Sequence, residues 1–257
     1  MLIDFHTHLD FYKREELNQQ LANFSGILVA ASVDEKSYLT NCEISCHTQS
    51  ENLSCKIIPT FGIHPNYADQ NAPLLDNPTT VARFIKYLDQ SPVIGEIGMD
   101  FCWSKSSPKN QEKVFRWFLE YCNKTDKACV IHTKAAEEKI CNILTDYPHA
   151  RPVIHWYDGP EEIYREFIHR GYPQTFGVET IRSKHLQNLL LLTPTELLLA
   201  ETDNPDSEPW LGGTRNDVFL IERVYEELSE ILNIQRTALE ETIEENFRNV
   251  VKFIHKT

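Results

Sequence analysis

The chain starts with Leu2-Ile3-Asp4-Phe5-His6-Thr7-His8, in which two apolar residues lead into a pair of histidines separated by one residue. Alternate residues of a β-strand point to the same face, so a strand here would direct the side chains of His6 and His8 to one side. Two imidazoles on one face can bind one metal ion. The stretch therefore predicts a first strand that carries two ligands of a metal site.

The same local context recurs along the chain, where further apolar runs end in a histidine or an acidic residue. These runs are Gly62-Ile63-His64-Pro65, Gly95-Glu96-Ile97-Gly98, Val130-Ile131-His132, Val153-Ile154-His155 and Ala200-Glu201-Thr202-Asp203. One buried histidine of this kind is usually an ordinary core residue. The repetition is hard to explain by packing alone, and it favours one shared metal site.

The length of 257 residues is typical of a single (β/α)8 barrel, and we expect one domain over 1–257. An apolar content of 41% with 25% charged residues is typical of a globular protein. No run approaches the roughly 20 apolar residues of a membrane-spanning helix, so no membrane partner is expected. Met1 is followed by a predicted strand rather than by a signal-peptide pattern.

The cysteines indicate the compartment. Their number, seven, is odd, and no Cys-x-x-Cys occurs, which argues against a disulfide scaffold and for a reducing, cytoplasmic location. Cys42, Cys46, His47 and Cys55 offer an alternative zinc site, but their spacing fits no common zinc pattern.

The formal net charge of −13 excludes one class of nucleic-acid-binding protein. Proteins that bind duplexes through a broad electrostatic surface are normally basic. Any contact with nucleic acid must therefore be local, through bound cations and a few basic side chains such as Lys134, Arg182 and Arg215.

Apolar runs and amphipathic segments alternate along the whole chain. Strands are predicted at 1–5, 26–32, 56–62, 92–96, 128–132, 152–155, 174–177 and 196–201. Helices are predicted at 13–24, 38–49, 81–90, 111–125, 135–147, 160–170 and 186–192, with two more across 217–256 and a loop at 73–76. Eight strands alternating with helices predict an α/β fold, a closed parallel TIM barrel.

Catalytic groups of such barrels lie at the carboxyl ends of the strands. We expect His6 and His8 to close strand one, His64 to follow strand three, and Glu96, His132, His155 and Asp203 to close strands four, five, six and eight. Imidazole and carboxylate ligands suit Zn²⁺, Mn²⁺ or Mg²⁺, and a carboxylate such as Glu96 can bridge two ions. Two such ions can activate water and stabilise the oxygens of a phosphoryl displacement.

The ordered set of motifs resembles that of TatD-family metal-dependent hydrolases, from residue 3 to about residue 253. The motifs are Asp4-x-His6-x-His8, Gly62-x-His64-Pro65, Gly95-Glu96-Ile97-Gly98-x-Asp100, Ile131-His132, His155-Trp156-Tyr157-x-Gly159, Glu201-Thr202-Asp203-x-Pro205 and Glu245-Asn246-Phe247. Each motif is weak alone, whereas their order is specific.

The resemblance implies a site with two divalent ions. One ion would be held by His6, His8, Glu96 and Asp203, and the other by Glu96, His132 and His155. Glu96 and Asp203 would be the catalytic residues, Asp203 by orienting or deprotonating the attacking water. Substrate contacts would come from His64, Lys134 and Asp100.

Two of the chain's departures from the family pattern bear on substrate preference. Lys134 stands where many members have arginine, which keeps the positive charge but loses the bidentate grip on phosphate. The loop Gly212-Gly213-Thr214-Arg215-Asn216-Asp217 lacks the Asn-Glu-Pro common in the family. These departures affect the expected substrate preference rather than the metal site.

Three functions remain open at this point. By resemblance, the leading one is a metal-dependent phosphodiesterase acting on DNA, a 3′-to-5′ exonuclease that prefers single strands and acts at strand ends or on short strands. The second is an amidohydrolase or esterase, including aminoacyl-tRNA deacylation. Such barrels commonly use a carboxylated lysine at strand four, where this chain has Glu96.

The third function is a subunit of an anti-phage defence complex with partner proteins. Asp4-Phe5-His6, His132-Thr133-Lys134-Ala135-Ala136 and His155-Trp156-Tyr157 are similar to motifs in the TatD-type component of Qat defence systems. Aromatic residues also lie near the motifs: Phe101, Trp103, Trp156, Tyr157 and Trp210. Such side chains either stack on nucleobases or pack loops against the rim.

Overall fold

The computed structural model describes residues 1–214 and 216–251. Arg215, and the end of the last predicted helix at 252–256, lie outside the described residues. The eight predicted strands are all present. They are β1 (Ile3–Thr7), β2 (Gly26–Ala30), β3 (Cys55–Pro59), β4 (Val93–Asp100), β5 (Ala128–Lys134), β6 (Arg151–His155), β7 (Gln174–Phe176) and β8 (Leu198–Ala200).

Helices occupy each predicted helical segment. They are α1 (Arg14–Leu21), α2 (Glu35–Ser50), α3 (Ala68–Asn71), α4 (Pro78–Gln90), α5 (Pro108–Thr125), α6 (Glu137–Leu144), α7 (Glu161–His169), α8 (Lys184–Leu192), α9 (Ser207–Trp210), α10 (Leu220–Leu232) and α11 (Arg236–Val251). The short helices α3 and α9 had no counterpart in the sequence pattern, and the predicted loop at 73–76 contains a 3-10 turn at Leu74–Asp76.

The chain divides into two compact units, each assembled from separate segments. Unit 1 consists of Met1–Ala30, Asn41–Ile58 and the chain from Pro173 onward, and unit 2 consists of Ala31–Thr40 and Pro59–Tyr172. The expectation of a single domain stays a prediction.

In unit 1, β1, β2 and β3 form a sheet in that order. Strands β1 and β2 run parallel, with Ile3 opposite Ile27 and Thr7 opposite Ala30. Strands β7 and β8 are also parallel. All five residues of β2 are buried, which explains its continuous apolar run, since parallel strands are normally covered on both faces.

In unit 2, β4, β5 and β6 pair in parallel. The register places Gly98 of β4 opposite His132 of β5, and His132 opposite His155 of β6. The pairing therefore sets two of the predicted metal ligands side by side on adjacent strands.

Helix α5 shows how local signals set an element in unit 2. Ser107 is its N-cap, Pro108 its first residue and Asp126 its left-handed C-cap. Val114 and Phe118 are buried. Tyr121 is only partly buried, because its hydroxyl reaches outward and donates to Asp89.

At three of the predicted ligands, the strand ends differ from the prediction. Glu96 lies in the middle of β4 rather than at its end, because the strand continues through Gly98 to Asp100. Strand β5 likewise extends past His132 to Lys134. Strand β8 ends at Ala200, so Asp203 lies in the loop that follows.

All seven cysteines are free thiols. Among residues 1–214 and 216–251, the groups of side chains placed to hold a metal ion contain no cysteine, so the alternative zinc site finds no support there. Within the same residues, none of the helices combines the length and apolar character needed to cross a membrane.

Asn246 provides a test of how α11 is attached in unit 1. Its side chain is buried and donates hydrogen bonds to the carbonyl of Thr195 (2.7 Å), in the turn before β8, and to that of Leu198 (2.8 Å), the first residue of β8. We expect Asn246→Ala to lower the free energy of unfolding by about 1–3 kcal/mol, because buried acceptors lose their donor. Glu245→Ala, on the exposed side of the same helix, should change it by less than about 0.5 kcal/mol. Urea denaturation measures both, and equal effects would contradict the role given to Asn246.

Candidate metal centre

The first group of potential ligands lies in unit 1 and consists of His6, His8 and Asp203, here called the His6 cluster. Nε2 of His6 and Nε2 of His8 are 3.3 Å apart. Oδ1 of Asp203 lies 3.1 Å from Nε2 of His8 and 3.5 Å from Nε2 of His6. Two imidazole nitrogens and a carboxylate oxygen therefore converge on one point.

Backbone pairing brings Asp203 to β1. The amide of Asp203 donates to the carbonyl of His6 (2.8 Å), and the amide of His8 donates to the carbonyl of Asn204 (2.8 Å). Asp203 adopts a left-handed backbone conformation with φ +52°. Aspartate tolerates that conformation better than most residues, and it turns the carboxylate toward the histidines.

Asp4 supports this cluster and was not predicted to have a role. It is buried, and its carboxylate accepts hydrogen bonds from Oγ1 of Thr202 (2.6 Å), the amide of Thr202 (3.0 Å) and the amide of His6 (3.2 Å). Burial raises the pKa of Asp4 to about 8, although these hydrogen bonds act to lower it. The sequence signal was present, since Asp4, His6 and His8 alternate along one strand face.

The second group lies in unit 2 and is centred on Glu96, and it is here called the Glu96 cluster. Its members are His64, Glu96, Asp100, His132 and His155. Oε1 of Glu96 lies 2.6 Å from Nδ1 of His132, 3.5 Å from Nε2 of His155 and 3.7 Å from Nε2 of His64. A single carboxylate oxygen thus faces nitrogens of three imidazoles.

Glycines allow the backbone of this cluster to come close together. A Cβ on Gly98 would lie 2.1 Å from the carbonyl oxygen of His132, and the φ of +150° at Gly98 is one that side chains rarely adopt. A Cβ on Gly62 would lie 2.4 Å from the carbonyl oxygen of Glu96. The glycines of the Gly62-x-His64 and Gly95-Glu96-Ile97-Gly98 motifs therefore have a steric role in placing the ligands.

Asp100 orients His132. Its Oδ2 lies 3.3 Å from Nε2 of His132, while its Oδ1 accepts hydrogen bonds from the amides of Cys102 and Trp103. Burial acts to raise the pKa of Asp100, but His132 and these amides lower it to about 2. Burial likewise acts to lower the pKa of His132, but Glu96 and Asp100 raise it to about 9. Asp100 therefore keeps a proton on Nε2, which leaves Nδ1 to serve as a ligand.

Gln111 holds Asp100 in place and was not identified from the sequence. This buried residue accepts from the amide of Asp100 (2.8 Å) and donates to the carbonyls of Asp100 (3.0 Å) and Ser106 (2.9 Å). A glutamine on an amphipathic helix carries no motif, so no local pattern could have indicated this contact.

The tautomer of His64 differs from that expected of a ligand at Nε2. Its Nδ1 accepts a hydrogen bond from the amide of Asn66 (3.1 Å). A neutral His64 therefore carries its proton on Nε2, the nitrogen that faces Glu96. A proton donor at this position suits a substrate oxygen better than a metal ion.

The donor sets fit divalent cations. Ligands about 2.0–2.2 Å from one ion lie roughly 3.0–3.5 Å from each other, which is the spacing within the His6 cluster. Buried imidazole nitrogens and carboxylate oxygens that converge without a thiol suit Zn²⁺, Mn²⁺ or Mg²⁺. The described residues thus bring all six predicted ligands into clusters of this kind: His6, His8 and Asp203 in one, Glu96, His132 and His155 in the other.

Of the three predicted substrate-binding residues, two lie in the Glu96 cluster and the third is paired with other residues. His64 belongs to the Glu96 cluster, and Asp100 faces His132. Lys134 is buried, and its ammonium donates to the carbonyl of Trp156 and to Asp158, both at 2.8 Å. The substrate contacts of Lys134 and Asp100 stay predictions.

The family model described as TatD related DNase matches residues 3–252 of the chain. An uncharacterised metal-dependent hydrolase of Methanocaldococcus jannaschii is 26% identical over 99% of this chain and 97% of its own length. Deoxyribonuclease TATDN3 of Homo sapiens is 25% identical over 99% of this chain and 95% of its own length.

Among solved structures, a TatD family hydrolase from Entamoeba histolytica superposes with a TM-score of 0.80 at 19% identity, covering 97% of each chain. This likeness confirms the predicted α/β class, a TIM barrel of the metallo-dependent hydrolase type. The chain is thus a metal-dependent hydrolase that belongs to the TatD-related DNase family.

Proposed function

We propose that this protein hydrolyses phosphodiester bonds of DNA with two divalent metal ions, one at the His6 cluster and one at the Glu96 cluster. The observation that carries the proposal is the convergence of buried imidazole and carboxylate ligands in both clusters. Family membership and the name of the human relative support DNA as substrate. Digestion of end-labelled DNA with Mg²⁺ or Mn²⁺ tests it directly.

The ions, once bound, would activate water and stabilise the oxygens of the phosphate undergoing displacement. Asp203 has the most exposed side chain of its cluster, 22% against 10% for His8, so it is the member best able to meet a water molecule. Its carboxylate orients that water and accepts its proton. His64 donates from Nε2 to a phosphate oxygen.

The finer features rest on resemblance. They are a 3′-to-5′ direction, a preference for single strands and membership of an anti-phage defence complex. A cytoplasmic location is proposed instead from the cysteine usage. The free thiols support the location. The amidohydrolase or esterase alternative is less favoured, because Glu96 itself supplies the central carboxylate where such enzymes commonly use a carboxylated lysine. Cleavage of an ester or amide panel without cleavage of DNA would reverse this preference.

Metal dependence is the first expected outcome. Chelation should abolish DNA hydrolysis, and Mg²⁺ or Mn²⁺ should restore it, because the ligand sets contain no thiolate and no covalent nucleophile is placed among them. Metal content by elemental analysis should fall from two ions to one in His8→Ala and in His155→Ala. Glu96→Ala should lose the ion of the Glu96 cluster, because it removes the carboxylate that faces the three imidazoles. Full activity in chelator would refute the mechanism.

Glu96→Ala and Asp203→Asn should each lower the rate by at least two orders of magnitude. Changes that only disturb residues behind the ligands already cost about 10–100-fold, and these variants remove a ligand carboxylate itself. Circular dichroism should show an intact fold. Near wild-type turnover in either variant would show that its assigned role is wrong.

The salt dependence of DNA binding should show that the protein contacts only a few phosphates. The net charge of −13 repels a polyanion within a Debye length, about 8 Å at physiological salt. Attraction must come from the metal centre, so the binding slope should correspond to roughly two or three phosphates rather than the 6–10 of an extended binder. Cleavage should also need a free end. A steep slope, or rapid cutting of closed circular DNA, would indicate that another basic surface delivers the substrate.

A further inference from the structure

We infer that Trp103 is a stacking residue for a nucleobase next to the scissile phosphate, and that Lys134 is the positioning residue that holds its indole. This inference rests on the proposed function, since it names a base contact for the same reaction. It gives Lys134 a role different from the predicted phosphate contact.

Lys134 lies between two indoles. Its Nζ is 5.8 Å from the ring centroid of Trp103 and 5.6 Å from that of Trp156. Both distances are within the range of cation–π attraction. The same ammonium donates to the carbonyl of Trp156 and to the carboxylate of Asp158. With its charge paired to Asp158 and its side chain buried, Lys134 is poorly placed to bind an incoming phosphate and well placed to fix the indoles.

Trp103 is anchored at its backbone and exposed at its ring. Its amide donates to Oδ1 of Asp100 (2.7 Å), the carboxylate that faces His132. The residue as a whole is 52% exposed, which is high for so large an apolar side chain. The carboxylate of Asp100 therefore connects the backbone of Trp103 to the predicted metal ligand His132. The indole ring exposes apolar surface to solvent.

Trp156 fixes the other side of Lys134. It directly follows His155, and their rings meet edge to face at a centroid distance of 6.4 Å. Its backbone adopts φ +36°, a conformation that is costly for a bulky residue and that persists only where surrounding contacts impose it. The hydrogen bond from Lys134 to its carbonyl is one such contact. Strain of this kind next to a ligand histidine indicates that the placement of the indoles matters to the site.

A nucleobase is the ligand that this arrangement fits. An exposed, rigidly held indole binds a flat aromatic surface by stacking, and every base has one. The phosphate of the substrate would be bound by the metal ions and His64, which leaves the base for Trp103. Trp103 would thus position the nucleotide rather than take part in bond breaking.

Abasic substrates test the inference. Short single strands carry a tetrahydrofuran abasic nucleotide at the terminal or penultimate position of either end, and kcat/KM is compared with the strand that has all its bases. The wild type should lose about 5- to 150-fold at one of these positions, the factor expected for one base–aromatic stack. Trp103→Ala should cleave both strands equally slowly, and Trp103→Phe should restore most of the difference. Trp210→Ala, which removes another exposed indole, should behave as the wild type.

Lys134→Met separates the two roles of Lys134. A positioning role predicts a larger loss on the strand with its bases than on the abasic strand, because only the former uses Trp103. A phosphate contact predicts equal losses on both. Equal losses, or an abasic effect that survives in Trp103→Ala, would overturn the inference.

Binding gives a readout that does not depend on turnover. A strand with 2-aminopurine at the sensitive end, bound in the presence of Ca²⁺, should be quenched by the wild type and by Trp103→Phe but not by Trp103→Ala. Failure to cleave any DNA would reject the proposed function, and the quenching result would still decide the stacking role. Absence of a difference between wild type and Trp103→Ala would reject it.

Discussion

The candidate site depends on one carboxylate oxygen, Oε1 of Glu96, which faces nitrogens of three imidazoles at 2.6–3.7 Å. Such a buried charge is costly unless it is paired or binds a metal. Without a metal, His132 pairs with it as an imidazolium, which is why the pKa of His132 is raised to about 9 despite burial. A divalent cation would replace that proton, so the charge of Glu96 is neutralised both with and without the metal.

Backbone packing rather than side-chain chemistry sets this arrangement. Gly98 lets β4 lie against β5 so closely that any side chain there would meet the carbonyl of His132. In unit 1, the hydrogen bonds of Asp203 and His8 join the loop after β8 to β1, and Asp4 reinforces the junction through Thr202. The ligands are therefore carried by strands and by strand-bound loops, which limits their movement.

The sequence was informative where a local pattern carried the signal. The eight strands followed from apolar runs, and the candidate site residues from the polar residues at the ends of such runs. The choice of six of these residues as metal ligands followed from the ordered set of motifs. The supporting contacts of the site were not predictable, because they join residues that are distant in the sequence. Gln111, on a helix, reaches Asp100. Lys134, at the end of β5, contacts Trp103 and Trp156, which lie in two different loops. The central position of Glu96 in β4 was missed because glycine at residue 98 usually signals a strand end, whereas here it permits close strand pairing.

The negative charge of the protein explains why a stacking residue would be useful beside the metal centre. At a net charge of −13 the protein cannot attract DNA over a broad surface, and the buried Lys134 has its charge paired with Asp158. Metal ions would then supply the attraction for the phosphate, but charge attraction alone orients a strand poorly and weakens as salt rises. Stacking on an uncharged indole is insensitive to both charge repulsion and salt. Trp103 is exposed, and its amide is held by the carboxylate of Asp100, which also contacts the predicted ligand His132. Such a tryptophan is the kind of contact with which an acidic protein can position a nucleotide.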